Sequence, residues 1–303
     1  MNTLELPALH GHHPLGFLAT CGLLRSYVEY GKCAAGLGWK HTDEGWVAIL
    51  HGKEVTAPEV IDKLLRAAGS QQDSLALKWS DKIDDRAKFR ETGSTLIERN
   101  GGQDDQESLR LLSALASDIV VNDKGKLQPT LLDFTSGNQR FLSSICEISR
   151  DLTEDAFQEA LCGPWQYRDR AHSLGWDPQT QRLHALRHRV PEQDKENRSI
   201  RGAVFLASQA LPLFPCFAVR SRLRTTGFHR DDGDDWFTWP IWREPISVET
   251  LRSLLALPLT RDLKRRGIEV IYRCRRVRTG GSEGNYQVFS NVEEYSFPTR
   301  QRP

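Results

Sequence analysis

The sequence feature that most constrains the fold is an apolar stretch near the N-terminus, residues 14–30. Pro14 suits the first turn of a helix, where its missing N–H is not needed, and Gly31 suits the position just after a helix end. Between them, large apolar residues recur at near-helical spacing: Leu15, Phe17, Leu18, Cys21, Leu24 and Val28. The pattern predicts an amphipathic helix that belongs to the core.

Helix and strand signals follow each other along the rest of the chain. Trp-bearing runs around residue 39 and over 45–50 flank a polar turn and predict a β-hairpin. Thr56 and Glu59 have the spacing of a capping box, which predicts a helix that ends near Gly69. Further helices are predicted at about 107–117, 141–148, 153–163, 203–211 and 248–257, with a buried strand at 130–134 and two strands near the C-terminus. Residues 70–105 are predicted as surface loops around a short segment near Trp79.

These signals predict an α+β fold of mixed helices and short antiparallel sheets. We divide it into an N-terminal α+β region, residues 1–163, and a C-terminal α+β region with basic patches, residues 164–303. The boundary is soft and leaves open a single compact unit.

The charge balance limits the classes of partner. Charged residues make up 27% of the 303-residue chain but its formal net charge is only +1, which excludes a globally basic or a globally acidic protein. Any nucleic-acid-binding surface must therefore be local.

Cysteine usage and the absence of long apolar runs predict the compartment. The six cysteines lie far apart without a C-x-x-C pair, so we expect reduced, mostly buried thiols. No secretory leader pattern is seen, and no apolar run approaches the ~20 residues needed to cross a bilayer. We expect a soluble, cytoplasmic protein with no membrane partner.

Two clusters of candidate metal ligands are the strongest enzymatic signals. His10, His12 and His13 match no metal-site spacing, and the acidic turn from Asp231 to Asp235 lacks the distal Glu of an EF-hand loop. Phosphate-binding, dinucleotide-binding and nucleophile-elbow motifs are absent from the sequence. We therefore predict no enzyme, no cofactor and no bound metal, and keep a metal-dependent nuclease or hydrolase using these two clusters as an alternative.

The strongest positive signal is a basic stretch near the C-terminus. Residues 261–278 hold eight Lys or Arg residues and two acidic ones, a net charge of +6 in a chain of net charge +1. On a strand over 268–278, Ile268, Val270, Tyr272 and Cys274 face one way while Arg273 and Arg275 face the other. The second face suits a phosphate backbone. The alternative is a solvated strand paired to acidic neighbours such as Glu293 and Glu294.

A second group of cationic side chains lies in the middle of the chain. Arginine binds phosphates and guanine edges bidentately, so these residues are candidate nucleic-acid contacts. They are Arg168, Arg170, Arg182, Arg187, Arg189 and Arg201, with His184, His188 and Arg198 between them and with Trp165, Tyr167 and Trp176 as candidate stacking partners.

A polar turn is the candidate for sequence reading. The predicted strand ends and a helix begins at a turn that carries amide and guanidinium groups, on Asn138, Gln139 and Arg140. Gly137 permits the backbone of the turn to approach a nucleic acid closely. In the competing interpretation, Ser136 or Asn138 only caps that helix.

Four segments, in the same order, resemble the large-subunit proteins of type I-U (also called I-G) CRISPR effector complexes. They are LHGHHPLGFLATCGLLR at 9–25, LDFTSGNQ at 132–139, GWDP at 175–178 followed by LHALR at 183–187, and RGA at 201–203 running to LPLFP at 211–215. None of these segments is a catalytic motif.

The resemblance implies the irregular architecture of a large subunit and a role in an RNA-guided surveillance complex, where guide pairing reads sequence and protein reads a short adjacent motif. Its implied partners are guide RNA, target DNA, the backbone subunit, the repeat-handle-binding subunit and a helicase-nuclease. We therefore expect a non-catalytic subunit that contacts DNA beside the target, helps to open it and helps to recruit the helicase-nuclease. The alternatives are the metal-dependent enzyme above and a purely structural adaptor.

Overall fold

The computed structural model describes residues 2–99, 103–135, 139–180, 198–258, 261–279 and 286–296. In chain order its elements are β1 (Asn2–His10), α1 (Pro14–Gly31), β2 (Ala35–Thr42), β3 (Gly45–Gly52), α2 (Ala57–Gln71), α3 (Leu75–Lys78), α4 (Arg86–Glu98), α5 (Gln103–Leu115), β4 (Ala116–Val121), β5 (Leu127–Pro129), α6 (Phe141–Arg150), α7 (Glu154–Cys162), α8 (Arg201–Gln209), β6 (Cys216–Val219), β7 (Arg222–Thr225), β8 (Phe228–Asp231), β9 (Asp234–Trp242), α9 (Val248–Leu255), β10 (Ile268–Thr279), β11 (Tyr286–Phe289) and β12 (Glu293–Glu294).

Helix accounts for 42% and strand for 28%, so neither dominates and the predicted α+β class is confirmed. Several small antiparallel sheets are present, and the described residues form no closed barrel. Within the same residues, no helix has both the length and the apolar character needed to span a bilayer.

The predicted N-terminal helix is confirmed as α1. Its start is capped by His13, whose Nδ1 accepts a hydrogen bond from the backbone N–H of Gly16 at 3.3 Å, and Pro14 occupies the first turn. Gly31 lies inside the helix, and Lys32 takes the left-handed position at its end (φ 48°). Every residue from Pro14 to Tyr27 is buried, so the helix is covered on all its sides and its predicted amphipathic character is wrong.

Helix α1 approaches α8 with no side chain between the two backbones. A Cβ atom on Gly22 would lie 1.7 Å from the carbonyl oxygen of Leu206 and 2.9 Å from the backbone nitrogen of Ala210. Only glycine permits this contact, because any side chain would overlap backbone atoms that cannot rotate away.

Two sheets pack near the other side of α1. The first has the order β1–β3–β2, and the second has the order β11–β10–β9–β8 with β12 also paired to β10. Two indole N–H groups of β9 tie the sheets together: Trp239 donates to the carbonyl of Gly11 and Trp242 to that of Leu37, both at 2.7 Å. The ring of Phe17 stacks near both Trp39 and Trp239.

One continuous cluster of buried apolar residues runs from Leu6 to Phe289 and draws on both predicted regions. The division into residues 1–163 and 164–303 stays a prediction.

The described structure differs from the sequence analysis in two segments. In residues 70–105, predicted as loops around a short segment near Trp79, the short helix α3 ends next to Trp79, and α4 is a helix that was not predicted. Asp85 is the N-cap of α4, where its carboxylate accepts from the N–H of Lys88, and Phe89 packs edge-on against Trp79. Residues 130–134, predicted as a strand, form a turn after β5, in which Asp133 N–H donates to the carbonyl of Thr130. A short apolar run does not distinguish a buried strand from a buried turn.

The close contact at Gly22 predicts a strong effect of a single methyl group. Gly22→Ala should lower the free energy of unfolding by about 3 kcal/mol or more, since the added Cβ overlaps backbone atoms of α8. Gly69→Ala is the matched control: this helical glycine has nothing within 4 Å of its Cβ position, so the change should stabilise by up to about 1 kcal/mol. Urea denaturation of both variants measures the difference, and equal effects would contradict the packing described here.

Candidate nucleic-acid interface

Arg273 and Arg275 lie on the outward face of β10, opposite the buried Cys274, as predicted. The strand is irregular at its start. The register shifts between Ile268 and Val270 and is regular from there to Arg275. Ile271 is buried although it alternates with Cys274 and so lies on the same side of the strand as Arg273. Val270 and Tyr272 are half-buried, so the predicted four-residue apolar face is only partly correct.

Both arginines are paired with carboxylates of neighbouring strands. Arg273 contacts Asp231 at 3.0 Å and Glu293 at 2.6 Å, and Arg275 contacts Asp234 at 3.0 Å. Two cations therefore face three anions. Two residues of the acidic turn, Asp231 and Asp234, therefore form ion pairs with the basic strand β10. The alternative interpretation of this strand, in which its arginines pair with acidic neighbours such as Glu293, is present in the structure.

Aromatic rings hold the same arginines in place. The guanidinium of Arg273 lies 4.1 Å from the ring centre of Trp236 and 5.1 Å from that of Tyr295, while Arg275 lies 5.7 Å from Trp236. A phosphate that bound this face would have to displace the carboxylates. Phosphate binding by Arg273 and Arg275 stays a prediction.

The polar turn before α6 lies partly outside the described residues, which include Gln139 and Arg140 but not Asn138. Arg140 occupies the N-cap position without a side-chain cap and forms an ion pair with Asp81. On the other side of the turn, the N–H and hydroxyl of Thr135 donate to Asp133 at 2.9 and 2.6 Å. Burial raises the pKa of Asp133. The N-cap residue of α6 is thus Arg140 rather than Ser136 or Asn138, both of which lie outside the described residues.

The middle arginines are only partly described, because Arg182, Arg187 and Arg189 lie outside those residues. Arg201 begins α8, where its N–H donates to Asp169 at 2.8 Å and its guanidinium contacts Asp151 at 3.1 Å. Arg168 and Arg170 are exposed on the preceding loop.

Of the three candidate stacking aromatics near these arginines, Trp176 is fully buried and donates to the carbonyl of Leu132, so it belongs to the core and offers no ring face to a base. Trp165 and Tyr167 are half-buried.

A carboxylate that is distant in sequence from the histidine cluster, that of Asp177, lies next to the cluster in the fold. Asp177 is fully buried, and its Oδ1 lies 3.3 Å from His13 Nε2 without an aligned hydrogen bond. The other ring nitrogen of His13 accepts the capping N–H of Gly16, so it has no lone pair left to act as a base or metal ligand.

The rings of His10 and His12 lie 5.3 Å apart, and burial lowers the pKa of each. Within the described ranges, no group of three or more His, Cys, Asp or Glu residues is arranged to hold a metal ion.

A surface that the sequence analysis did not single out is the hairpin of β6 and β7. Its register places Phe217 opposite Arg224 and Val219 opposite Arg222, so these four side chains share one face. Phe217 is 49% and Val219 44% exposed, so two large apolar side chains lie side by side with two arginines on one open face. No alternation of apolar and polar residues marks this face in the sequence, because Phe217, Ala218 and Val219 are all apolar and the next three residues are all polar.

The segments that carry the CRISPR resemblance meet in space. The GWDP segment contacts two others, through Asp177 beside His13 and through the Trp176 N–H on the carbonyl of Leu132. The first and last segments meet where Gly22 touches Leu206, which lies between RGA and LPLFP.

No protein-family model matches the chain, and no curated protein is significantly similar to it in sequence. The resemblance therefore rests on the segments themselves.

The pairing of Arg273 predicts that reversing its charge affects folding. Arg273→Glu should lower the free energy of unfolding by about 1–2 kcal/mol, because the cation–π contact is lost and a carboxylate meets Asp231 and Glu293. Adding Glu293→Arg should recover about half of that loss, with Glu293→Arg alone as the control. If urea denaturation finds wild-type stability for Arg273→Glu, the ion pairs contribute nothing.

Proposed function

We propose that the chain is a non-catalytic subunit of a type I-U/I-G CRISPR surveillance complex that contacts target DNA beside the site of guide pairing. The observation that carries this proposal is the resemblance of four segments in the same order, together with their packing against one another around α1. All four segments contribute residues to the one apolar core, so the order of the segments supports the proposal more strongly than their packing does.

In this role the guide RNA reads the target, while the protein holds the duplex beside it and reads a short motif. Gln139, Arg140, Arg168 and Arg170 are the described residues that we propose for DNA contact, with Asn138, Arg182, Arg187 and Arg189 as further candidates from the sequence. Arg201, Arg273 and Arg275 have carboxylate partners, as Arg140 has in Asp81, so a phosphate would compete with a carboxylate at each of these four arginines. Recruitment of the helicase-nuclease belongs to the same proposal.

The metal-dependent enzyme is less well supported. One nitrogen of His13 serves as a helix cap, and Asp231 and Asp234 face the guanidinium groups of Arg273 and Arg275. A structural adaptor has no specific observation in its favour, and it predicts no salt-dependent nucleic-acid binding.

Salt dependence tests the nucleic-acid proposal. If about five Lys or Arg residues neutralise duplex phosphates, log affinity falls with log salt concentration with a slope near −0.9 per contact, which is roughly a 500-fold loss between 50 and 200 mM. The measurement is a titration of labelled duplex with the complex co-purified with its guide RNA and neighbouring gene products. Affinity that stays constant across this range, or a chain that purifies without RNA, would contradict the proposal.

Motif reading at the turn before α6 has its own test. Gln139→Ala is the variant, and its thermal unfolding midpoint is measured alongside binding, because the half-buried Gln139 side chain takes part in contacts of the folded chain. The variant should weaken binding to targets with the correct adjacent motif more than binding to targets with a scrambled one, since a lost base-edge hydrogen bond costs about 1–3 kcal/mol of discrimination. Gln106→Ala, an exposed glutamine on α5, is the matched control. An unchanged ratio between the two targets would remove Gln139 from the candidate readers.

A further inference from the structure

The hairpin of β6 and β7 is fixed on one face and open on the other. On the fixed face, Leu223 is buried and the Thr225 hydroxyl accepts from the N–H of Leu131 at 2.9 Å. The thiol of Cys216 donates to the carbonyl of Ala114 at 3.2 Å. These contacts anchor both strands to the chain around β4 and β5. The open face is therefore a rigid surface, not a mobile loop.

The open face combines apolar area with positive charge. Residues 216–225 contain three arginines and no acidic residue. Arg224 pairs with Asp235 at 3.3 Å. Arg220 and Arg222 are exposed, and no carboxylate of the described residues lies within ion-pairing distance of either. Unlike Arg273 and Arg275, these two cations lack a described carboxylate partner.

The tip of the hairpin is a two-residue turn, Arg220 and Ser221, between the paired residues Val219 and Arg222. Arg220 adopts a left-handed conformation (φ 56°), as the first residue of such a turn must do to match the twist of the strands. This position is usually taken by glycine or asparagine, so a long side chain there is uncommon. The turn places at the tip a guanidinium that has no carboxylate partner among the described residues.

We propose that this face, the open face of the β6–β7 hairpin, binds single-stranded nucleic acid. A base stacks on Phe217, Val219 extends the apolar contact, and Arg220 and Arg222 contact the phosphates on either side. An exposed aromatic ring stacks on the flat apolar faces of unpaired bases. In a duplex those faces are covered by neighbouring base pairs. The inference deepens the proposed function and rests on it, because it names the form of nucleic acid that one surface takes.

The first test truncates the ring. With a labelled 12-nucleotide oligothymidine and the purified full chain, Phe217→Ala should weaken binding about 5-fold to 150-fold, the usual effect of losing one base stack. Phe217→Trp should retain wild-type affinity or exceed it, because a larger ring still stacks. Ile97→Ala removes another exposed apolar side chain, 66% exposed on α4, and should change nothing.

The second test separates backbone strain from charge. Arg220→Gly should leave the thermal unfolding midpoint unchanged or raise it, since glycine adopts the left-handed conformation freely. The same variant should reduce the salt slope of oligothymidine binding by about 0.7, the value for one phosphate contact on a single strand. Lys32→Gly is the matched control, as an exposed cation in the same conformation at the end of α1. It should gain in stability without a change of slope.

Three results would overturn the inference. Equal weakening of single-stranded and duplex binding by Phe217→Ala would place a groove or backbone contact here instead of a stack. Unchanged oligothymidine binding, with loss of partner subunits on co-purification, would make the face a protein-docking surface. Both leave the proposed function standing. Wild-type chain that binds no nucleic acid, alone or with guide RNA, would remove the inference and the proposed function together.

Discussion

The backbone contact between α1 and α8 at Gly22 fixes the spacing on which the rest of the structure depends. A single added carbon would overlap the carbonyl of Leu206, so the two helices are as close as backbones can be. From α1, Phe17 reaches Trp39 of one sheet and Trp239 of the other. Because packed interiors do not deform smoothly, a shift of α1 would be transmitted to both sheets. Surfaces far from Gly22 therefore depend on it for their relative positions.

The segments that resemble CRISPR large subunits are mostly packing elements. Trp176 is a core residue, Gly22 is a close-approach site, and His13 is a helix cap that lies beside a buried carboxylate. Such residues specify an architecture and carry no chemistry of their own. This agrees with the proposal of a subunit that holds binding surfaces in position while other components read the target and cut it.

The local density of cations in the sequence does not show which cations face a carboxylate in the fold. The stretch from 261 to 278 has the highest local density of cations, yet its central arginines face the carboxylates of β8, β9 and β12. The hairpin of β6 and β7 has fewer arginines, but two of them have no described carboxylate partner, and exposed apolar side chains lie beside them. Pairing across antiparallel strands joins residues that are distant in the chain, so a count of local charges cannot find it.

By itself, the sequence determined the α+β class, the helix α1 and the β2–β3 hairpin, because the repeat of apolar residues and the capping residues act over a few positions. Only the tertiary structure decided that residues 130–134 turn, that α4 forms despite Gly93, and that Asp177 lies beside His13. In each case the deciding contact joins residues that are distant in sequence. The carbonyl of Leu115 accepts from the N–H of Thr130, and the Leu112 side chain lies next to Gly93. Asp177 and His13 come from separate parts of the chain. Local sequence patterns determine which helices and strands form. Contacts between distant parts of the chain determine which side chains stay exposed and can bind a partner.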